Sequence, residues 1–284
     1  MRSLRRGGGS DVAGSRPYVP GDDVDEIDWA ASAKLSSASG RDEFVVREEY
    51  AEEAPRVVIV CDRRPEMRLA VPGANAFRKG QAQRVAIELI RASAVEAHGF
   101  VGYLDYGQGA GEPFWLPPQT QSLWEYEERE DERASFDAPA GSVADAIEFL
   151  IAHPRSVPAG TFVFVLSDFL DPVPRETWLR AVEQRLDAVP VVLQDPIWER
   201  SFPSVEAFVL RVADARLRSE DVRLRPREVR ARRRAHEERW TALLAELGEL
   251  DLEPIVVESV GETDVLEPFL AWAEERQAAL GTGA

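Results

Sequence analysis

A chain of 284 residues with 44% hydrophobic content can fill one layered core of ordinary size with a small elaboration. Its 34 basic against 51 acidic residues leave a net charge of −17, which disfavours polyanions and argues against a reader of nucleic acid. The single cysteine, Cys61, excludes an internal disulfide and a cysteine-clustered zinc site. The longest apolar runs are strand-length and too short to cross a bilayer, so the reading is a cytoplasmic α/β protein, with peripheral membrane association left open.

Residues 1–16 are Gly, Ser and Arg with almost nothing to bury, and read as a disordered tail. Arg2, Arg5 and Arg6 resemble the start of a signal peptide, but Gly7-Gly8-Gly9 follows where an apolar stretch belongs. Residues 17–54 read as an irregular bracing segment. Pro20-Gly21 suits the centre of a type II turn, and Asp22 or Asp23 can cap a short helical turn carrying Val24, Ile27 and Trp29. Trp29, set among alanines, is expected to be buried. Phe44–Arg47 reads as a strand and Glu48–Glu53 as its charged exit.

Residues 55–280 read as one domain. The β-branched run from Arg56 to Cys61 has the pattern of a strand buried on both faces of a mostly parallel sheet. Gln81–His98 is a helix burying Val85, Leu89, Ile90, Ala94 and Val95, followed by a strand over Phe100–Tyr106 and a short hairpinned strand over Glu112–Leu116. A helix opens at Ser142, Thr161–Leu166 is the next buried strand, Glu176–Asp187 a helix and Val189–Leu193 a strand. Two further strands, Glu206–Val212 and Asp221–Leu224, precede a long helix over Arg227–Gly248, a strand over Leu252–Val257 and a helix over Thr263–Leu280. This alternation predicts a three-layer, doubly wound, mostly parallel α/β sheet of Rossmann type.

In such sheets ligands bind beyond the carboxyl ends of the strands, where the strand order reverses. Asp62 follows the first buried strand and Asp168 follows Phe162–Ser167, so the two acids share a crevice if those strands are neighbours. Two close carboxylates repel, and a cation must join them: a divalent metal such as Mg2+, or an arginine.

The segments Tyr18–Val24, Ile27-Asp28-Trp29, Ala31–Lys34 and Val46-Arg47-Glu48 resemble the N-terminal signature of the domain of unknown function 58 family. Leu166–Phe169 and Gln194-Asp195-Pro196 are similar to later stretches of that family. The resemblance spans roughly residues 16–280 and implies a von Willebrand factor A-like domain. In many members this domain carries a metal-ion-dependent adhesion site of pattern Asp-x-Ser-x-Ser. It also implies partnership with a MoxR-type AAA+ ATPase. Here Asp62 keeps the aspartate, but Arg64 and Glu66 occupy the serine positions, with Ser142 as candidate hydroxyl ligand and Asp168 as distal aspartate. Asp25 stands where members commonly carry arginine.

Arginine cannot coordinate a metal, so the charge argument favours a metal-free, salt-bridged pseudosite, while Asp62, Glu66, Ser142 and Asp168 remain the candidate ligands if Arg64 points outward. The expected function is a non-enzymatic interaction domain in which an exposed Arg63 or Arg64, with Glu66, meets a partner. The alternatives are a metal-dependent hydrolase using Asp62 and Asp168, and a purely architectural subunit. Tyr106–Gly111 is a G-x-G-x-G without the following helix that a dinucleotide site needs, and His98, His153 and His236 lie apart from any nucleophile. The acidic stretch 125–132 and the arginines of the long helix read as solvated surfaces that double as candidate interaction faces.

Overall fold

The computed structural model of the chain describes residues 3–6, 12–18, 27–29, 31–33, 35, 44–69, 77–107, 112–119, 136–203, 208–213 and 219–281. The chain divides into two compact units, Met1–Pro55 and Arg56–Ala284.

In the first unit, β1 (Ser3–Arg6), β2 (Val12–Pro17) and β3 (Val45–Glu53) form an antiparallel sheet in the order β1-β3-β2. The segment 1–16, expected to be a disordered tail, therefore supplies two strands. An extended backbone needs only partners for its amides and carbonyls, and β3 offers both its edges. The charged run Glu48–Glu53 lies within β3 rather than beyond it. Asp28 Oδ1 accepts the Ala31 amide at 3.0 Å and caps a short helical turn. Pro20-Gly21, Asp22, Asp23 and Asp25 lie outside the described residues. Ile27, Ser32 and Val45 fill the buried side, with Ser32 Oγ accepting the Val45 amide at 2.9 Å. Trp29 is not the buried brace expected: it is 60% exposed and meets Phe44 edge-on, ring centres 6.0 Å apart.

The second unit is built on a six-stranded sheet of order β11-β8-β7-β4-β5-β6. Its strands are β4 (Arg56–Cys61), β5 (Phe100–Asp105), β6 (Phe114–Gln119), β7 (Phe162–Ser167), β8 (Asp187–Leu193) and β11 (Ile255–Val257). All neighbours are parallel except β5 and β6. From β4 the chain winds outward through β5 and β6, then returns to β4's other edge and winds through β7, β8 and β11. The reversal falls between β4 and β7, whose ends are level: Cys61 pairs with Leu166.

Alternating side chains of the buried strands feed two cores. Val58, Val60, Val163 and Val165 pack with Val143, Ile147 and Leu150 of α2 (Ser142–Ile151), Trp178 and Ala181 of α3 (Arg175–Glu183), and Leu247 of α4 (Pro226–Glu249). On the opposite face lie α1 (Lys79–Glu96) and α5 (Glu262–Gly281), where Phe164 of β7 meets Phe269 and Trp272. Val95, expected inside, is 61% exposed as the second-last residue of α1. The two later strands, β9 (Phe208–Ala213) and β10 (Ser219–Leu224), stand outside the main sheet as an antiparallel ribbon. A small core of Phe202, Leu224 and Val229, with Trp198 against it, lies at the start of α4. Among the described residues, no helix is long and apolar enough to cross a membrane.

Candidate functional site

The reversal brings Asp62 and Asp168 together at the carboxyl ends of β4 and β7, both essentially inaccessible to solvent. Backbone geometry fixes them first. The Asp62 amide donates to the Leu166 carbonyl at 3.0 Å, continuing the ladder one residue beyond β4. Gln83, on α1, donates from Nε2 to the carbonyls of Asp62 (3.0 Å) and Leu166 (3.3 Å), tying both strand ends to one helix. Gln194, after β8, donates from Nε2 to the Asp168 carbonyl.

One guanidinium joins the two acids. Arg64 Nε donates to Asp62 Oδ1 (3.0 Å) and Oδ2 (3.1 Å), and Nη2 bridges Asp62 Oδ2 and Asp168 Oδ1, the latter at 2.7 Å. The Arg64 amide also donates to Asp62 Oδ1 at 2.9 Å, so the turn after β4 folds the arginine back over its own aspartate. Ser167 Oγ donates to Asp62 Oδ2 at 2.6 Å and accepts the Phe169 amide at 3.0 Å. Phe169 has a φ of 50°, in the left-handed region, and that turn aims the Asp168 carboxylate into the crevice. The second Asp168 oxygen accepts from Lys79 Nζ at 2.7 Å, and Lys79 donates equally to Glu199 Oε1 at 2.7 Å. Every oxygen of the two buried carboxylates therefore has a donor of the chain's own.

The electrostatics follow from these distances. Burial alone would raise the Asp168 pKa, but Lys79 and Arg64 outweigh it and hold the carboxyl below its ordinary range. Burial works against the Lys79 ammonium, yet Asp168 and Glu199 keep its pKa raised. Arg64 is likewise raised against burial by Asp62 and Asp168. The quartet Asp62, Arg64, Asp168 and Lys79 is charge-balanced and sealed, each member less than a tenth exposed. Cys61, just below, is pushed up to about 12 by burial, far from thiolate reactivity.

A family model described as "Protein of unknown function DUF58" matches residues 14–241. The chain belongs to the DUF58 family. Two solved structures show a distant likeness to this DUF58 chain. The conserved hypothetical protein BatB from Bacteroides thetaiotaomicron is 16% identical, with 69% of this chain and 98% of that one covered and a TM-score of 0.37. An aerotolerance-related membrane protein from Bacteroides fragilis, carrying multiple mutations to serines, is 16% identical over 69% and 99% of the two chains, with a TM-score of 0.40. No curated protein matches the chain.

Of the residues singled out by sequence, Asp62, Arg64 and Asp168 meet; Glu66, Ser142 and Arg63 do not join them. Glu66 is half-buried on the single turn Pro65–Arg68 and makes no side-chain hydrogen bond or ion pair among the described residues. Ser142 is buried as the first residue of α2, with its amide on the Pro139 carbonyl, and its hydroxyl bonds neither aspartate. Among the described residues, no group of three or more His, Cys, Asp or Glu side chains is disposed to hold a metal ion. Arg63 and Arg64, expected as exposed carboxylate anchors, are each only 5% exposed. Arg63 turns to the opposite side, donating to Tyr103 Oη at 2.9 Å beneath the Phe136 ring, while Tyr103 Oη donates to Asp105 Oδ2 at 2.8 Å. In the sheet interior a guanidinium is tolerated only with such partners.

Lys79, Gln83 and Glu199 were missed, and Gln194, noted in the resemblance, was given no role at the site. Composition held one signal: Lys79 is one of two lysines in a chain with 32 arginines. A basic position that keeps the slimmer, point-like ammonium in so arginine-rich a chain points to a confined site. The histidines are local: His153 stacks on Phe149 at 4.0 Å, His236 Nδ1 lies 2.8 Å from the Ser201 carbonyl, and His98 closes α1 with a φ of 53°. The acidic stretch 125–132 and residues 108–111 of the glycine-rich turn lie outside the described residues.

Proposed function

We propose that this chain is a non-enzymatic protein-interaction domain of von Willebrand factor A-like type with a degenerate metal-ion-dependent adhesion site. It would act in the cytoplasm as partner or adaptor of a MoxR-type AAA+ ATPase. The observation that carries this reading is the Arg64 side chain lying where both aspartates converge. A hard divalent cation needs carboxylate oxygens as ligands at about 2.0–2.6 Å, and those oxygens are committed to Arg64, Lys79 and Ser167. The donor set does not fit Mg2+. The same commitment speaks against a hydrolase built on Asp62 and Asp168: neither is open to substrate, and the hydroxyl bonded to Asp62, that of Ser167, is itself fully buried.

With Arg63 and Arg64 turned inward, the partner-facing part of the crevice is its rim. Asp195 Oδ1 accepts the amides of Ile197 (2.8 Å) and Trp198 (3.0 Å), and Glu199 Oε2 accepts the Asp195 amide at 2.8 Å. This closed turn holds Ile197 outward, 58% exposed, beside the Lys79–Glu199 pair. Co-expression with a MoxR-type ATPase followed by size exclusion tests the reading. Co-elution that Ile197→Asp abolishes is the expected result. Separate elution at micromolar concentration counts against the partnership, and co-elution indifferent to Ile197→Asp favours a purely architectural subunit.

A further inference from the structure

Helix α4 presents a second feature that the crevice does not use. Its inward face is Val229, Arg233, His236, Trp240, Leu243 and Leu247, spaced as one helical stripe. Two of the arginines noted in the sequence belong to the fold: Arg233 Nε donates to the Phe202 carbonyl at 2.9 Å and Arg239 Nη2 to the Glu199 carbonyl at 2.6 Å. Arg227, Arg230 and Arg234 are different. They follow one another at i, i+3 and i+7, so they lie along one outward line of about 10 Å. All three are exposed, and among the described residues their side chains make no ion pair or hydrogen bond. Some exposed and half-exposed arginines elsewhere find acids, as in Arg175–Glu249 (3.0 Å), Arg180–Glu148 (2.6 Å) and Arg276–Asp187 (2.6 Å). Isolated ones such as Arg84, Arg155 and Arg185 find none among the described residues; the α4 stripe differs in setting three in one line.

Stability does not account for this stripe. Like charges three and four residues apart on a helix repel, and cations in the first turns oppose the positive end of the helix dipole. Among the described residues no carboxylate makes an ion pair with it: Glu228 turns back to the Arg225 amide at 2.7 Å, Glu237 takes the Ser201 hydroxyl at 2.8 Å, and Glu238, one turn from Arg234, bonds none of the three. In a chain of net charge −17, these three adjacent cations thus have no ion-pair partner among the described residues, at positions where like charges cost stability.

We propose that Arg227, Arg230 and Arg234 form a docking stripe for a short carboxylate-rich segment of a partner protein. The chemistry selects that occupant over other anions. Ala231 stands between the arginines and Ala235 just beyond Arg234, so the stripe offers no aromatic side chain to stack on bases and no long apolar one to enter a bilayer. An extended polyanion or a vesicle surface would also meet the acidic remainder of the protein, whereas a segment of two helical turns covers only the stripe. At physiological salt, charges farther than about 8 Å are screened, so such a segment feels mainly the three arginines.

The probe is a labelled octaglutamate peptide, followed by fluorescence anisotropy with the full chain at low and high salt, beside anionic vesicles and duplex DNA. The expected result is salt-sensitive octaglutamate binding that weakens by at least about tenfold in the triple variant Arg227→Glu, Arg230→Glu, Arg234→Glu, which melts no lower than the parent. Absence of octaglutamate binding, equal binding by the variant, preferred binding to vesicles or DNA, or a lower melting temperature in the variant each overturns the proposal.

Discussion

Arg64 donates five hydrogen bonds to the two aspartates, one from its amide to Asp62 and four from its guanidinium, while its own burial opposes the charge. Removing one partner of such a network leaves the others buried and uncompensated, at a cost of about 3–5 kcal/mol. Arg64→Ser is expected to lower the urea stability by that amount. Mg2+, Mn2+ or chelator is expected to leave the parent's melting temperature unchanged, so that any metal-dependent gain belongs to the variant. A rise of several degrees in the parent with Mg2+ would show that the arginine yields to a metal. The acids and this arginine were legible because each follows a run of apolar strand residues, which places it at a strand end. Lys79 was not, because it enters from the start of α1, and a helix's first residue carries no sequence mark of the strand it leans over. The adjacent Arg63 shows a related limit. Two neighbouring arginines after a strand read as a solvent-facing pair, yet they diverge to two buried acids, Asp105 and Asp62.

Elements were legible to the extent that their hydrophobic period was clean. β4, β5, β7 and β8, with residues from Val57 to Leu193 buried on both faces, fell within one or two residues of their expected bounds. β6 was harder: it runs Phe114–Gln119 rather than over 112–116, because the prolines Pro117 and Pro118 argue for a stop but are tolerated on an edge strand. The proline pair has a structural counterpart. The β5–β6 register shifts between Val101 and Tyr103, and Gly102 lies there under the β6 backbone. A Cβ on Gly102 would stand 2.8 Å from the Leu116 carbonyl oxygen and 2.9 Å from the Pro118 nitrogen. Backbone atoms of a paired strand do not give way as a flexible side chain does, so Gly102→Ala should loosen β6 at about 1–3 kcal/mol. Hydrogen exchange should show the β6 amides losing protection while those of β7 and β8 keep theirs. Uniform protection would mean that β6 shifts its register without loss.

At the scale of the whole molecule, the excess of acids and the sealed quartet respond to pH in opposite ways. Exposed carboxylates repel one another at neutral pH, and both added salt and mild acid relieve that repulsion. Asp168 works against this trend. Its folded pKa lies below the unfolded value, so its contribution is fully present above the unfolded carboxylate range, near about 4, and fades as the pH falls through the lower folded value. Lys79, raised in the folded state, contributes throughout this range and loses its share only where the pH climbs through its folded pKa. The melting temperature should therefore hold or rise as the pH falls from neutral toward about 5, then drop below about 4. Asp168→Asn, which carries a permanently neutral group beside Arg64 and Lys79, should melt lower at neutral pH, with the gap to the parent closing as the parent's own carboxyl protonates. A gap that stays constant down to the acid limit would mean that Asp168 is not an ionised partner of the two cations, and the charge-balanced crevice would fall with it.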